Sequence, residues 1–79
     1  SLRLEGVELI FEDAAIDAIA ERAINMKTGA RGLRSIIEEV MVDIMYELPS
    51  IEGKKRVTIG ENVIKNAEKP EIEYKKKTA

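Results

Sequence analysis

The pattern of apolar and polar positions changes period several times along the chain, and each change predicts a new element. Near the start, Val7, Leu9 and Phe11 lie two residues apart, with Glu8 and Ile10 between them. This alternation is typical of a half-buried strand. The sequence therefore predicts a strand over about residues 7–11, and the pattern that follows it is helical.

Two long amphipathic helices are predicted next. The first starts at Asp13, a good N-cap residue, and runs to about Lys27. Its apolar residues recur at three- and four-residue steps and are Ile16, Ile19, Ala20, Ala23 and Ile24. Thr28 and Gly29 interrupt it, and the second helix then continues up to Pro49. The apolar residues of the second helix are Leu33, Ile36, Ile37, Val40, Met41, Ile44, Met45 and Leu48. We expect both series to face the core.

The last part of the chain predicts two further strands and a short helix. After a turn or loop at residues 49–55, Val57 and Ile59 alternate with polar neighbours, as in a short strand. Residues 61–67 allow about two helical turns, and Ile72 with Tyr74 predicts a third strand before a charged tail. The order predicts a single α+β domain over residues 1–79, in which two long helices pack against a small three-stranded sheet.

Composition excludes several kinds of chemistry. The chain has 79 residues with no cysteine and no histidine, so it offers no disulfide, thiolate zinc site or imidazole catalysis. No acidic cluster has the spacing of a metal-binding loop, so we expect no metal site. There is no apolar stretch of membrane-spanning length and no signal-peptide pattern, so we expect a cytoplasmic protein without a membrane partner. The net charge of -2 argues against a nucleic-acid partner.

The charge order of the second helix is unusual. Helix N-termini favour acids, yet Arg31 and Arg34 lie in the first turns and the acids come later. For Arg34 the simplest partner is Glu38, four residues on. On a helical wheel at about 100° per residue, Arg31 falls outside the apolar stripe on a side shared with Val42 and Tyr46. That side is either a contact surface or an ordinary scatter of exposed apolar residues, and the pattern leaves both open.

Two glycines flank Arg31. Gly29 lies in the turn, where a positive φ suits it, and Gly32 lies in the first helical turn, where a missing side chain leaves room for a ligand or another surface. A helix N-terminus beside an arginine suits a phosphate group. The phosphate-binding loop GxxxxGK(S/T) is absent, so a phosphate at Arg31 would be held mainly by groups outside this chain.

Residues 6–50 closely resemble the C-terminal small domain of the ClpX family of AAA+ unfoldases. The most specific part is KTGARGLRSIIEE, in which GAR resembles the AAA+ sensor 2 motif, and the match continues more loosely through KRVTIGENVI. The related unfoldase HslU has a similar Gly-Ala-Arg, but ARGLRSI and MYELPS are more similar to ClpX. The resemblance implies that Arg31 is the sensor 2 arginine, which reaches ATP phosphates at the large domain, with Ala30 and Gly29 beside it.

The same resemblance implies the cofactor and the partners. ATP or ADP with Mg would be bound by a large AAA+ domain that precedes this chain, and this chain alone is not expected to hydrolyse ATP. Residues 1–6, SLRLEG, would be the end of a hinge helix, and a zinc-binding domain would lie further upstream. Partners would be the chain's own and neighbouring large domains in a homohexamer, with Val42 and Tyr46 as docking candidates. The ClpP peptidase and protein substrates would bind through the full-length protein.

Two other classes of function remain open from the sequence. A helix, a glycine-containing turn and a helix that begins with arginines also describe a DNA-binding helix-turn-helix, although four acids along the second helix oppose it. The basic runs at 54–56 and 75–77 are explained more simply as a solvated loop and tail. The remaining alternative is a protein-interaction module without a nucleotide role.

Overall fold

A computed structural model describes residues 2–4, 6–47 and 55–74 of the chain. In chain order its elements are β1 (Leu2–Leu4), β2 (Val7–Phe11), α1 (Asp13–Met26), α2 (Ala30–Glu47), β3 (Lys55–Ile59), α3 (Glu61–Asn66) and β4 (Glu71–Tyr74). The predicted α+β class is confirmed, as are the three predicted strands and the two long helices. The predicted loop before β3, except Lys55, and the charged tail lie outside the described residues.

The strands form one sheet in the order β1-β2-β3-β4. β2 and β3 are parallel, with Leu9 opposite Val57, whereas β1 and β4 pair antiparallel with their neighbours. Parallel neighbours need a long crossover connection, and α1 with α2 supplies it. The two long helices are thus packed on the sheet because the chain must travel back along it between β2 and β3.

The first strand contradicts the expectation that residues 1–6 end a hinge helix. Leu2–Leu4 pairs antiparallel with β2, with Leu4 opposite Val7. Gly6 has a φ of 70°, which lets the chain reverse tightly between the two strands. The short alternation of Leu2, Arg3 and Leu4 is compatible with this hairpin, so the sheet gains a fourth strand at its edge.

The core lies between the sheet and the inner faces of the helices. β2 and β3 contribute Leu9, Val57 and Ile59. The helices contribute Ala15, Ala18, Ile19, Ala23, Ile36, Val40, Ile44 and Ile64. β3 alternates between buried and half-buried positions along its whole length, as a strand with one face on the core should.

The N-cap residue of α1 lies one residue earlier than predicted. Glu12, not Asp13, is the N-cap residue, and it has extended backbone angles and no side-chain cap hydrogen bond. The Glu12 N–H donates to the Ile59 carbonyl at 3.0 Å, so strand-like pairing continues up to the helix and the helix begins directly after it. Asp13 still places its negative charge in the first turn, where it stabilises the helix.

The predicted inward faces of the long helices are partly wrong. Ile16 and Ile24 on α1 are 51% and 74% exposed, and Leu33, Ile37 and Met45 on α2 are also exposed. The inner side of α1 is instead rich in alanine, with Ala15 and Ala18 buried. Small side chains allow close approach of the helix to its neighbours, so Ile19 is buried beside these alanines whereas Ile16 and Ile24 face outward. Among the described residues, no helix is both long and apolar enough to cross a membrane.

Candidate functional site

The turn between α1 and α2 reverses the chain within three residues. Lys27 adopts left-handed angles, with φ 56°, and its N–H donates to the Ile24 carbonyl at 3.1 Å. Gly29 also has a positive φ, of 63°. The Gly29 carbonyl accepts from the N–H groups of Gly32 at 3.1 Å and Leu33 at 3.3 Å, which closes the first turn of α2. The conformation of this turn sets the orientation of α2 and therefore the directions of the side chains in its first turns.

The two arginines at the start of α2 differ in their contacts. Arg34 Nε donates to Glu38 Oε1 at 2.8 Å, which confirms the predicted pair within the helix. Arg31 is exposed, and its side chain has no hydrogen bond or ion pair with any residue that the structure describes. The first turn of α2 contains no acidic residue. The positive end of α2 and the Arg31 guanidinium therefore add their fields, and together they favour an anion.

The space expected beside Gly32 is occupied. Gly32 is buried, and a Cβ placed on it would overlap the Thr28 Oγ1 atom and lie 3.6 Å from the Cβ atoms of Met26 and Thr28. Gly32 therefore accommodates packing inside the turn, and the prediction that it leaves room for a ligand is wrong. The open space lies at Gly29, where a Cβ would meet nothing within 4 Å.

A shallow apolar depression lies beside the turn that joins α1 to α2. It has a volume of about 540 Å³ and is lined by Ala20, Ala23, Ile24, Lys27, Gly29, Ala30 and Leu33. Two of the three predicted nucleotide-site residues, Gly29 and Ala30, thus line a concave surface. Arg31 follows them directly on the exposed side of α2 but does not line the depression.

Val42 and Tyr46 point away from the core as the helical wheel predicts. They are 64% and 83% exposed. Tyr46 is 15 residues beyond Arg31, which at 1.5 Å per residue places it about 22 Å along the helix axis. The structure therefore does not bring Arg31 and Tyr46 into one site, and they can serve different partners.

A second apolar surface was missed because its residues were assigned to the core. We call it the outer helical face, defined as Ile16, Ala20 and Ile24 of α1 with Leu33 and Ile37 of α2. All five side chains are exposed, and Ala20, Ile24 and Leu33 line the same depression. The signal in the sequence was the width of the apolar stripe on α2, which covers about half of the helix circumference and exceeds what one buried face needs.

The described residues offer no site for a resident metal. In the described ranges, no three or more carboxylates lie close enough together to hold an ion. Titratable side chains form exposed or half-exposed pairs instead, such as Arg22 with Glu39 at 3.7 Å and Arg56 with Glu8 at 3.0 Å. These pairs connect neighbouring elements, since the first joins α1 to α2 and the second joins β2 to β3.

The order of elements and the GAR turn agree with a known family. The family model of the C-terminal, D2-small domain of ClpB matches residues 1–64. The chain belongs to this family of AAA+ C-terminal small domains. Membership favours the AAA+ interpretation of the α1–α2 pair over the helix-turn-helix alternative.

Relatives of the small domain include two proteins named ATP-dependent Clp protease ATP-binding subunit ClpX. The one from Treponema denticola is 49% identical over 73 residues, which cover 91% of this chain and 18% of the relative. The one from Borrelia duttonii is 47% identical over 64 residues, which cover 81% of this chain and 15% of the relative. The chain thus spans less than a fifth of the length of either curated relative.

Proposed function

We propose that this chain is the small domain of a ClpX-type, ATP-dependent unfoldase subunit, and that Arg31 is its sensor 2 arginine. The observation that carries the proposal is the state of Arg31, which is exposed at the positive end of α2 without a partner among the described residues. A guanidinium there matches the geometry of a phosphate group. The phosphate would be that of ATP held with Mg by the large domain.

The energy of such a contact is sufficient to couple nucleotide binding to domain orientation. A charge-assisted hydrogen bond contributes about 1.5–3 kcal/mol. Because about 1.4 kcal/mol corresponds to a tenfold change in an equilibrium, this contact would favour the closed arrangement by roughly 10- to 150-fold. Hydrolysis and release of the nucleotide would remove that bias, and the small domain would move relative to the large one.

Gly29 and Ala30 would face the nucleotide cleft beside Arg31. Neither side chain extends beyond a methyl group, so another surface can approach the backbone of the turn closely. Their position on the apolar depression supports this assignment, because the depression is open and adjoins the exposed Arg31.

Two exposed apolar regions support docking to large domains. The outer helical face and the pair Val42 and Tyr46 lie on exposed parts of the same helix pair. We assign them to contacts with the chain's own large domain and with that of a neighbouring subunit in a homohexamer. Contacts with the ClpP peptidase and with protein substrates would be made by the full-length protein, in the cytoplasm.

The proposal is tested by substituting Arg31 in the full-length subunit. We expect Arg31→Ala to slow ATP hydrolysis and protein unfolding at limiting ATP by about 10-fold or more, because the phosphate contact is lost. Arg31→Lys should recover only part of the loss, since a lysine lacks the planar fork. Arg34→Ala is the matched control. Because Arg34 pairs with Glu38, its substitution should leave the rates of ATP hydrolysis and protein unfolding unchanged. Unchanged rates in Arg31→Ala would contradict the proposal.

A further inference from the structure

We propose that Thr28 is a positioning residue for Arg31, acting through its contact with Gly32. This inference rests on the function proposed above for Arg31. Thr28 lies between the two positive-φ residues of the turn, Lys27 and Gly29. Its side chain packs against the bare backbone of Gly32, at the point where any Cβ would overlap Thr28 Oγ1. This contact would hold the first turn of α2 against the residues that follow α1.

The contact determines the direction of Arg31 because the two residues are neighbours on one helical turn. Gly32 is buried against Thr28 and Met26, whereas Arg31, about 100° away around the helix, is exposed. If a side chain were introduced at position 32, a rotation of this turn that relieved the overlap with Thr28 would also move the Arg31 Cα. The guanidinium stands at the end of a long side chain, so a small rotation of the backbone displaces it further.

Arg31 has no hydrogen bond or ion pair with the described residues that could correct such a displacement. The region that its guanidinium can reach therefore depends on the position of its backbone, and that position depends on the packing of the turn. Misplacement of a binding group by about 1 Å can cost on the order of 100-fold in the step that it serves. The Thr28–Gly32 contact would in this way prepare Arg31 for the phosphate before nucleotide binds.

The test is a set of variants in the full-length subunit, with the dissociation constant of ATP as the readout. Gly32→Ala pushes a methyl group into Thr28 Oγ1, and we expect the constant to rise about 10-fold. Thr28→Ala introduces no overlap but removes the packing, and we expect a smaller rise. In the double variant Thr28→Ala with Gly32→Ala, the new methyl group enters the space that the threonine leaves, so part of the affinity should return. Thr28→Ser retains Oγ1 and should bind ATP nearly as the parent does.

The same variants made together with Arg31→Ala separate positioning from a general structural effect. If Thr28 and Gly32 act through Arg31, neither substitution should weaken ATP binding further once the arginine is gone. Circular dichroism of the 79-residue chain reports whether each variant folds. If Gly32→Ala does not fold, the ATP dissociation constants of Thr28→Ala, with and without Arg31→Ala, test the positioning role. Equal losses with and without Arg31, or no loss at all, would overturn the positioning role and leave the function of Arg31 intact. No effect of Arg31→Ala itself would overturn the proposed function and the positioning role together.

Discussion

At the scale of single residues, alanine-to-glycine substitutions at two positions should have opposite effects on stability, because the backbone conformations differ. Ala67 ends α3 with a φ of 52°, a left-handed conformation that costs a residue with a side chain about 1–2 kcal/mol. Ala67→Gly should therefore stabilise the chain by about 0.5–1 kcal/mol. Ala20→Gly, at an exposed position inside α1, should destabilise it by about 0.8–1 kcal/mol. Urea unfolding of the two variants checks both values, and a destabilised Ala67→Gly would contradict the assigned conformation.

The residue scale also shows which contacts sequence can predict. The Arg34–Glu38 pair follows from helical spacing, so its partner was predictable as soon as the helix was. The role of Gly32 was not, because it depends on where Thr28 and Met26 lie after the chain has turned. The sequence alone does not show whether the space beside a glycine stays open or is occupied by another side chain.

At the scale of elements, the two faces of the long helices should differ sharply in their effect on stability. Ile36 is 1% exposed, so Ile36→Ala should destabilise the chain by about 2–5 kcal/mol. Ile24 is 74% exposed, and Ile24→Ala should change the free energy of unfolding by less than about 0.5 kcal/mol. The two substitutions remove the same atoms, so their thermal unfolding can be compared directly. Similar losses would show that the outer helical face is buried.

The helices and strands were predictable because periodicity is a local property of the sequence. Which side of each helix is buried was not predictable, because packing depends on residues far apart in the sequence. Both long helices and the strands β2, β3 and β4 follow from apolar spacing. β1 was missed, since three residues carry too little pattern and the strand depends on the turn at Gly6. The predicted inner face of α1 included Ile16 and Ile24, which are exposed, and omitted the buried Ala15 and Ala18.

At the scale of the whole molecule, the exposed apolar residues carry the proposed contacts with other domains. Tyr46 is 83% exposed and near the end of α2. In the full-length subunit, Tyr46→Ala should weaken ring assembly or ATP hydrolysis, since aromatic residues contribute strongly to interfaces. The isolated chain should keep its stability within about 0.5 kcal/mol. Analytical ultracentrifugation measures ring assembly and an ATPase assay measures hydrolysis in the full-length variant. Unaltered values in both would refute the docking role of Tyr46.

The proposed function of the whole molecule is supported more by similarity to known proteins than by geometry. The GAR turn and its surroundings indicate the family, and the family model confirms it over residues 1–64. The partners of the exposed surfaces could not be predicted physically, because the groups proposed to cover them lie outside the residues of this chain. The relatives, of which this chain spans less than a fifth, are the basis for proposing those partners.

The central claim is that Arg31 contacts the phosphate of a nucleotide, and equilibrium binding tests it most directly. Titration of the full-length subunit with ATP should give a dissociation constant that is roughly 10- to 150-fold higher for Arg31→Ala than for the parent, which corresponds to about 1.5–3 kcal/mol. Arg34→Ala, titrated in parallel, should bind ATP as the parent does. Equal affinities of the parent and Arg31→Ala, with both proteins folded, would contradict the claim.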